Sequence, residues 1–169
     1  STFEDLIAMN ALYRPGPMDY IPDFIDRKHG RKPIEYDIPI MEKYLKDTYG
    51  ITVYQEQVMQ IAQKLAGYSL GQADILRKAM GKKKKEVLDQ QFKGFRQGMV
   101  NNGYSEESIK ALWDVVVPFS AYAFNKAHAV SYAVVAYQTA YFKCHFTREY
   151  MAALLTSVLD NSDKVAEYI

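Results

Sequence analysis

The segment Tyr122-Ala123-Phe124-Asn125-Lys126-Ala127-His128 is a polar, cationic insertion immediately before a nearly all-apolar run, and it holds the residue types best suited to chemistry in this 169-residue chain. A helix starting near Ala127 would bring its free amides and positive dipole end to the same place as Lys126 and His128, an arrangement suited to phosphate oxygens. Phe124 would then offer a flat apolar surface to a base or sugar. The same residues also suit a plainer role, with Asn125 capping the helix, Phe124 packed in the core, and Lys126 and His128 solvated. Composition alone leaves both open.

A second cationic stretch runs Arg77-Lys78-Ala79-Met80-Gly81-Lys82-Lys83-Lys84-Lys85, six cations without a carboxylate in a chain whose net charge is only +1. The balanced total produces no global field for a nucleic acid, so a polyanion would meet this segment in particular. Lys82, Lys83, Lys84 and Lys85 repel one another, which suits either a solvated turn between helices or a phosphate-bound state.

Other constellations fail on spacing. His29, His128 and His145 with the single Cys144 lack zinc-site spacing, and no His-Glu-x-x-His is present. Leu76 occupies the position where a phosphate-binding loop ending at Gly81-Lys82 needs its first glycine. Two-metal phosphoryl transfer needs carboxylates converging from rigid strands to hold cations about 4 Å apart, and no Asp-x-Asp strand occurs. Asp23 and Asp26 read as a solvated helix face beside Arg27 and Lys28. Cys144 and His145 point about 100° apart on a helix, so a buried thiol is expected there rather than a catalytic dyad. No catalytic or metal-binding residue is assigned within the chain.

The elements that must position these groups are helical. Val58, Ile61, Ala62 and Leu65 fall on one face, and similar periodicity runs through most of the sequence. The pattern predicts a first helix capped by Thr2 with Asp5 and ended at Arg14-Pro15-Gly16-Pro17, then helices over about Tyr20–Lys28, Ile40–Asp47 and Gln55–Ala66. Further helices follow from a Ser69 cap to Gly81, over Glu86–Asn102, from a Ser105 cap to Val117 before Pro118, and over Ala127–Phe146. A last one runs from a Thr147 cap to Asp160. Ile51-Thr52-Val53-Tyr54 is the one β-branched run, suited to a short strand or an extended lead into the next helix. Without repeats, low-complexity tails or linkers, residues 1–169 read as one mainly α domain.

With 49% hydrophobic residues, a chain of this length buries roughly 70% of its unfolded surface, enough for a core without staples. The lone cysteine suits a reducing compartment, and a cytoplasmic location is expected. Ala129 to Phe142 is interrupted by Ser131, Gln138 and Thr139 and falls short of the ~20 apolar residues of a membrane span, so a buried helix and no membrane partner are expected. Ser1-Thr2-Phe3-Glu4-Asp5 shows no secretion leader and reads as the start of a piece of something longer.

Five stretches, in order, identify a resemblance: Ala11-Leu12-Tyr13-Arg14-Pro15-Gly16-Pro17, Phe24-Ile25-Asp26-Arg27-Lys28-His29-Gly30, Tyr54-Gln55-Glu56-Gln57-Val58-Met59, Leu76-Arg77-Lys78-Ala79-Met80-Gly81-Lys82-Lys83 and Phe124-Asn125-Lys126-Ala127-His128. Their order and spacing resemble the bacterial DNA polymerase III alpha subunit family, in its fingers region. The resemblance implies that Arg77, Lys78, Lys126 and His128 surround the triphosphate of an incoming deoxynucleotide, with Phe124 and Asn125 near the nucleotide or nascent pair. It places Arg14, Tyr54, Gln55, Glu56 and Lys82 to Lys85 on the adjoining active-site and DNA surface. Two positions depart from the family pattern. Lys78 stands where arginine is frequent and cannot make a two-toothed phosphate contact, and Ala127 stands where serine is common, which removes a hydroxyl.

The resemblance further implies primer extension by attack of a 3′-hydroxyl on the α-phosphorus, with primer-template DNA as partner. Mg2+ would be held by aspartates of a palm that precedes this chain, so the piece alone is expected to be inactive. The other domains of the same polymerase would be partners, and replisome subunits such as the sliding clamp would contact other regions. Two alternatives stand beside this reading: a non-catalytic helical module that tracks a phosphate backbone, and a helical scaffold whose 14 tyrosines serve protein contacts.

Overall fold

In the computed structural model, residues 2–36, 38–81, 85–120 and 122–169 are described, with 80, 81, 85 and 118–120 described by backbone alone. The fold is mainly α. Thr2 and Asp5 form the expected capping box at the start of α1 (Phe3–Leu12), with the Asp5 amide donating to Thr2 Oγ1 at 3.3 Å and the Thr2 amide to Asp5 Oδ2 at 2.6 Å. The chain then turns at Gly16, whose φ of 97° is open to glycine and strained for other residues. A 3-10 turn (Pro17–Tyr20) leads into α2 (Ile21–Lys28).

The helix expected over residues 40–47 is broken into a 3-10 turn (Pro39–Met41), the single turn α3 (Glu42–Leu45) and another 3-10 turn (Lys46–Thr48). Tyr49 ends it in a left-handed conformation with φ 52°, uncommon for a tyrosine. Tertiary contacts hold it there. Its ring meets Phe24 edge-on at 4.9 Å, and its hydroxyl donates to Asp5 Oδ1 at 3.1 Å. Asp5 is also ion-paired with Lys28, so one buried carboxylate ties together α1, α2 and the turn after α3.

The main core lies among α4 (Gln55–Leu65), α5 (Leu70–Gly81), α6 (Lys85–Asn101) and α7 (Glu106–Ser120). Ile61, Leu65, Leu76, Phe95, Met99 and Leu112 are fully buried there, each contributing roughly 1.5–3 kcal/mol relative to exposure. Gly98 lets α6 approach the end of α4 so closely that a Cβ would fall 1.9 Å from the Ala66 carbonyl oxygen. The helix α7 runs past Pro118 instead of ending at Val117. A proline there removes the bond that an amide would donate to the carbonyl four residues back.

Residues 51–54 form no strand. They are the extended alternative, with Tyr54 in an isolated parallel bridge to Phe124. After α8 (Lys126–His145) come α9 (Thr147–Thr156) and α10 (Ser162–Tyr168), the last unanticipated by the sequence reading and capped by Asn161, which accepts from the Lys164 amide at 3.1 Å. Thr147 is not a cap, because its hydroxyl turns back to the Lys143 carbonyl at 2.7 Å.

The chain divides into two compact units, one ending at Val130 and one covering Ser131–Ile169. In the second, the expectation of a buried helix fails. Tyr132, Val135, Tyr137, Tyr141 and Phe142 are exposed, and so is Cys144. The apolar residues of this stretch are spread around the helix between Ser131, Gln138 and Thr139, with no single apolar face. Among the described residues no helix is long and apolar enough to cross a membrane.

Two consequences are measurable. Burial would raise the Asp5 carboxyl, but hydrogen bonds from Lys28, Thr2 and Tyr49 outweigh it and hold the group down at about 2. A carboxylate held lower in the folded than in the unfolded chain stabilises the fold above its ordinary range near 4 and loses that contribution as pH falls toward 2. Urea unfolding across that window should show the decline. Asp5→Asn should flatten it and destabilise the neutral-pH protein by about 2 kcal/mol, since Lys28 is left without its counter-charge. Gly98→Ala sets about 1 kcal/mol of helix propensity against a backbone collision. It should lower stability by about 2 kcal/mol or more in thermal unfolding, whereas Gly71→Ala, with nothing within 4 Å of its Cβ, should not.

Candidate functional site

The starts of α4 and α8 meet at the Tyr54–Phe124 bridge. The Phe124 amide donates to the Val53 carbonyl at 3.0 Å, and the Gln55 amide donates to the Phe124 carbonyl at 2.9 Å. The Gln55 side chain adds a bond to the Ala123 carbonyl at 3.2 Å. Extended backbone at Val53 and Tyr54 is needed for this pairing, and Gln57 holds it. Its buried Oε1 accepts from the amides of Val53 and Tyr54 at 2.8 and 2.9 Å, while Nε2 donates to Thr48 Oγ1 at 2.8 Å.

Asn125 caps α8, its Oδ1 accepting from the His128 amide at 2.9 Å. Its Nδ2 donates to Glu56 Oε1 at 3.0 Å, and the Lys126 amide meets both Glu56 oxygens, at 3.1 and 3.0 Å. A carboxylate therefore sits on the first amide of α8, where the helix dipole favours negative charge. The Lys126 ammonium pairs with Glu4 Oε2 at 3.3 Å and lies 5.3 Å from the Tyr54 ring centroid. The Arg14 guanidinium lies over the Phe124 ring, 4.7 Å from its centroid, and the His128 ring meets the same ring at a tilt, 5.3 Å between centroids.

Arg77 joins the same network from α5. Its NH1 reaches Gln55 Oε1 at 3.4 Å, while Nε and NH2 meet Asp74 Oδ1 at 2.9 and 2.7 Å. Lys78 takes the other Asp74 oxygen at 2.7 Å. Hydrogen bonds from Lys78 and Arg77 hold the Asp74 carboxyl below its ordinary range.

Two buried polar atoms here have no hydrogen-bond partner: Arg14 NH2 and the Tyr54 hydroxyl. Tyr54 is only 3% exposed. Burial pushes its phenol up, and the nearby charges of Glu4, Glu56 and Asp47 add to the shift. Desolvation lowers the Arg14 guanidinium. Tyr54, Glu56 and Lys126 line a cavity of about 160 Å³ together with Lys43, Asp47 and Gln60.

Of the sequence-derived residues, Arg14, Tyr54, Gln55, Glu56, Arg77, Phe124, Asn125, Lys126 and His128 are thus brought into one contact network, and Lys78 is joined through Asp74. Lys82, Lys83 and Lys84 lie outside the described residues, and Lys85 opens α6. Sequence reasoning missed Asp74 and Glu4. Asp74 stands three and four residues before Arg77 and Lys78 on one helix, a spacing that signals ion pairing. Glu4 carries no such signal. Among the described residues no group of three or more His, Cys, Asp or Glu side chains could hold a metal ion. The carboxylates at the junction are bound to ammonium, guanidinium or amide groups.

Comparison with known proteins adds the family. Residues 1–103 match the bacterial DNA polymerase III alpha subunit finger domain. Proteins named DNA polymerase III subunit alpha are similar over nearly the whole chain. The one from Saccharopolyspora erythraea is 60% identical over 99% of this chain and 14% of its own length. That from Mycobacterium leprae is 57% identical over 99% and 15%, and that from Bacillus subtilis 50% identical over 100% and 15%. The chain therefore spans about one-seventh of the length of these curated relatives. With the family match covering more than half of its residues, the chain belongs to the bacterial DNA polymerase III alpha subunit finger domains.

Proposed function

We propose that residues 1–169 act as one fingers domain of a DNA-directed DNA polymerase in the bacterial cytoplasm, binding the incoming deoxynucleoside triphosphate and adjoining primer-template DNA during replication. The observation that carries this reading is the convergence at the Tyr54–Phe124 bridge of four sequence stretches up to 114 positions apart, from Arg14 to His128. Family membership supplies the chemistry. In this reading Arg77, Lys78, Lys126 and His128 receive the triphosphate, and Phe124 and Asn125 lie against the nucleotide or nascent pair. Arg14, Tyr54, Gln55, Glu56 and Lys82 to Lys85 form the adjoining surface.

Mg2+ ions held by a palm elsewhere in the full polymerase supply the two-metal chemistry; this chain's residues bind, orient and neutralise. The palm is the principal partner, and clamp and replisome contacts belong to other regions. The positive end of α8 and the Lys126 ammonium face charge that grows on the phosphate oxygens during transfer, so they stabilise the transition state more than the ground state.

Lys126→Ala in the full polymerase should therefore lower single-turnover incorporation at saturating nucleotide about a hundredfold. Its exposed ion pair with Glu4 contributes under about 1 kcal/mol to folding, so thermal unfolding should change little. A normal rate in the folded variant would remove Lys126 from the site. Neutralising Lys82 to Lys85 together should weaken DNA binding equally across sequences and flatten its dependence on salt, because phosphate contacts carry no base information. An unchanged slope would show that these lysines do not touch phosphate.

A further inference from the structure

The charges at the junction are already matched. Arg14, Arg77, Lys78 and Lys126 supply four cations, and Glu4, Glu56 and Asp74 supply three carboxylates within contact of them or of the α8 amide. A triphosphate carrying about four negative charges would meet a cluster of net +1 in which the strongest donors are engaged. Glu56 is the most committed of the three. Its carboxylate accepts the Lys126 amide with both oxygens and Asn125 Nδ2 with one, as a phosphate oxygen would at a helix start.

A second observation concerns an unmatched buried donor in a residue that lines the adjoining cavity. The Tyr54 hydroxyl, in a side chain almost wholly buried, has no hydrogen-bond partner, although the residue lines the cavity shared with Glu56 and Lys126. A buried donor left unmatched costs about 1–3 kcal/mol. Such a group is retained most economically where a ligand oxygen completes it.

We infer that nucleotide binding at this junction is an exchange of anions, in which the Glu56 carboxylate is a tethered competitor that a polyphosphate displaces from the α8 start. The inference rests on the triphosphate reading given above and adds a specificity-determining role for Glu56. A ligand with one phosphate group brings too little charge to replace a carboxylate already fixed by three hydrogen bonds, whereas a triphosphate engages Arg77, Lys78 and Lys126 at once. Asp74 acts likewise toward Arg77 and Lys78, as the shared counter-ion they exchange for phosphate. The vacated carboxylates remain in water-accessible positions, since the Asp74 side chain is 33% exposed and Glu56 is half-buried.

The test is the apparent Kd for dATP opposite template thymine, taken from single-turnover incorporation by the full polymerase on primer-template DNA. Glu56→Gln keeps an acceptor for the Lys126 amide but removes the charge, and it should tighten binding about tenfold, the size of one charge-assisted hydrogen bond. Asp74→Asn should shift Kd in the same direction and carries the test if Glu56→Gln loses its fold. Unchanged or weaker binding in these variants, with normal thermal unfolding, overturns the exchange. Lys126→Ala separates the two ideas. If it weakens dATP binding or slows incorporation while the carboxamide variants fail to tighten binding, only the exchange falls. If Lys126→Ala also leaves both quantities unchanged, the triphosphate site itself is misplaced.

Discussion

The backbone pairing of Val53–Gln55 with Phe124 is the constraint on which the site depends. Two amide bonds near 3 Å join segments about 70 residues apart, and each segment leads directly into a helix, α4 on one side and α8 on the other. Register is therefore transmitted to both helix starts. Glu56 can reach the Lys126 amide only because Gln55 is already fixed to Phe124, and Arg77 reaches the junction through the Gln55 side chain. Gln57 makes the pairing possible from beneath. Its buried amide takes up backbone donors that a strand partner would otherwise satisfy, which is why 51–54 stays extended without a sheet.

Electrostatics at the junction follow a second rule, that cations near an apolar core keep counter-ions. Arg77 and Lys78 share Asp74, Lys126 has Glu4, and the α8 amide has Glu56. Arg14 is the exception. It has no carboxylate contact in this network and instead lies over Phe124, with one buried nitrogen unmatched. A face-on aromatic ring offsets part of a guanidinium's desolvation without neutralising it. Local net charge thus stays small although the residue types are strongly basic. The Asp5–Lys28–Tyr49 cluster has the opposite character: it is buried among helix ends and serves the fold.

The second unit explains why composition misled about α8. A helix apolar on all sides is ordinarily a core helix, and Ala129 to Phe142 fits that description. Between Ala129 and Phe142 only Ala129 and Ala133 are buried, while tyrosines and valines of the same stretch are exposed. Tyr141 contacts His145 at 4.4 Å and Phe142 meets Phe146 at 6.2 Å, so the aromatic side chains cover one another along the helix surface. Hydropathy reports what a side chain tolerates; which neighbour covers it depends on the rest of the chain.

By itself the sequence determined the helical character, most of the helix positions and the family, because periodicity, caps and breakers act over a few residues and the motifs are read in order. Thr2 with Asp5, the Ser69 cap, and the glycine after each of several helices were legible in that way. Local signals failed where a competing contact won: the helix expected over 40–47 is broken into short turns that end at Tyr49, which Asp5 and Phe24 hold in a left-handed conformation, and Thr147 bonds backward to Lys143 instead of capping. The sequence also singled out, as residue types, most of the side chains that meet at the Tyr54–Phe124 junction. Only the tertiary structure decided that Phe124 contacts both Arg14 and His128, that Glu4 and Asp74 pair with the cations of the junction, and that Glu56 occupies the start of α8. The physical reason is that counter-ions and backbone bridges are chosen by proximity in space, and pairs such as Glu4 with Lys126 leave no trace in spacing.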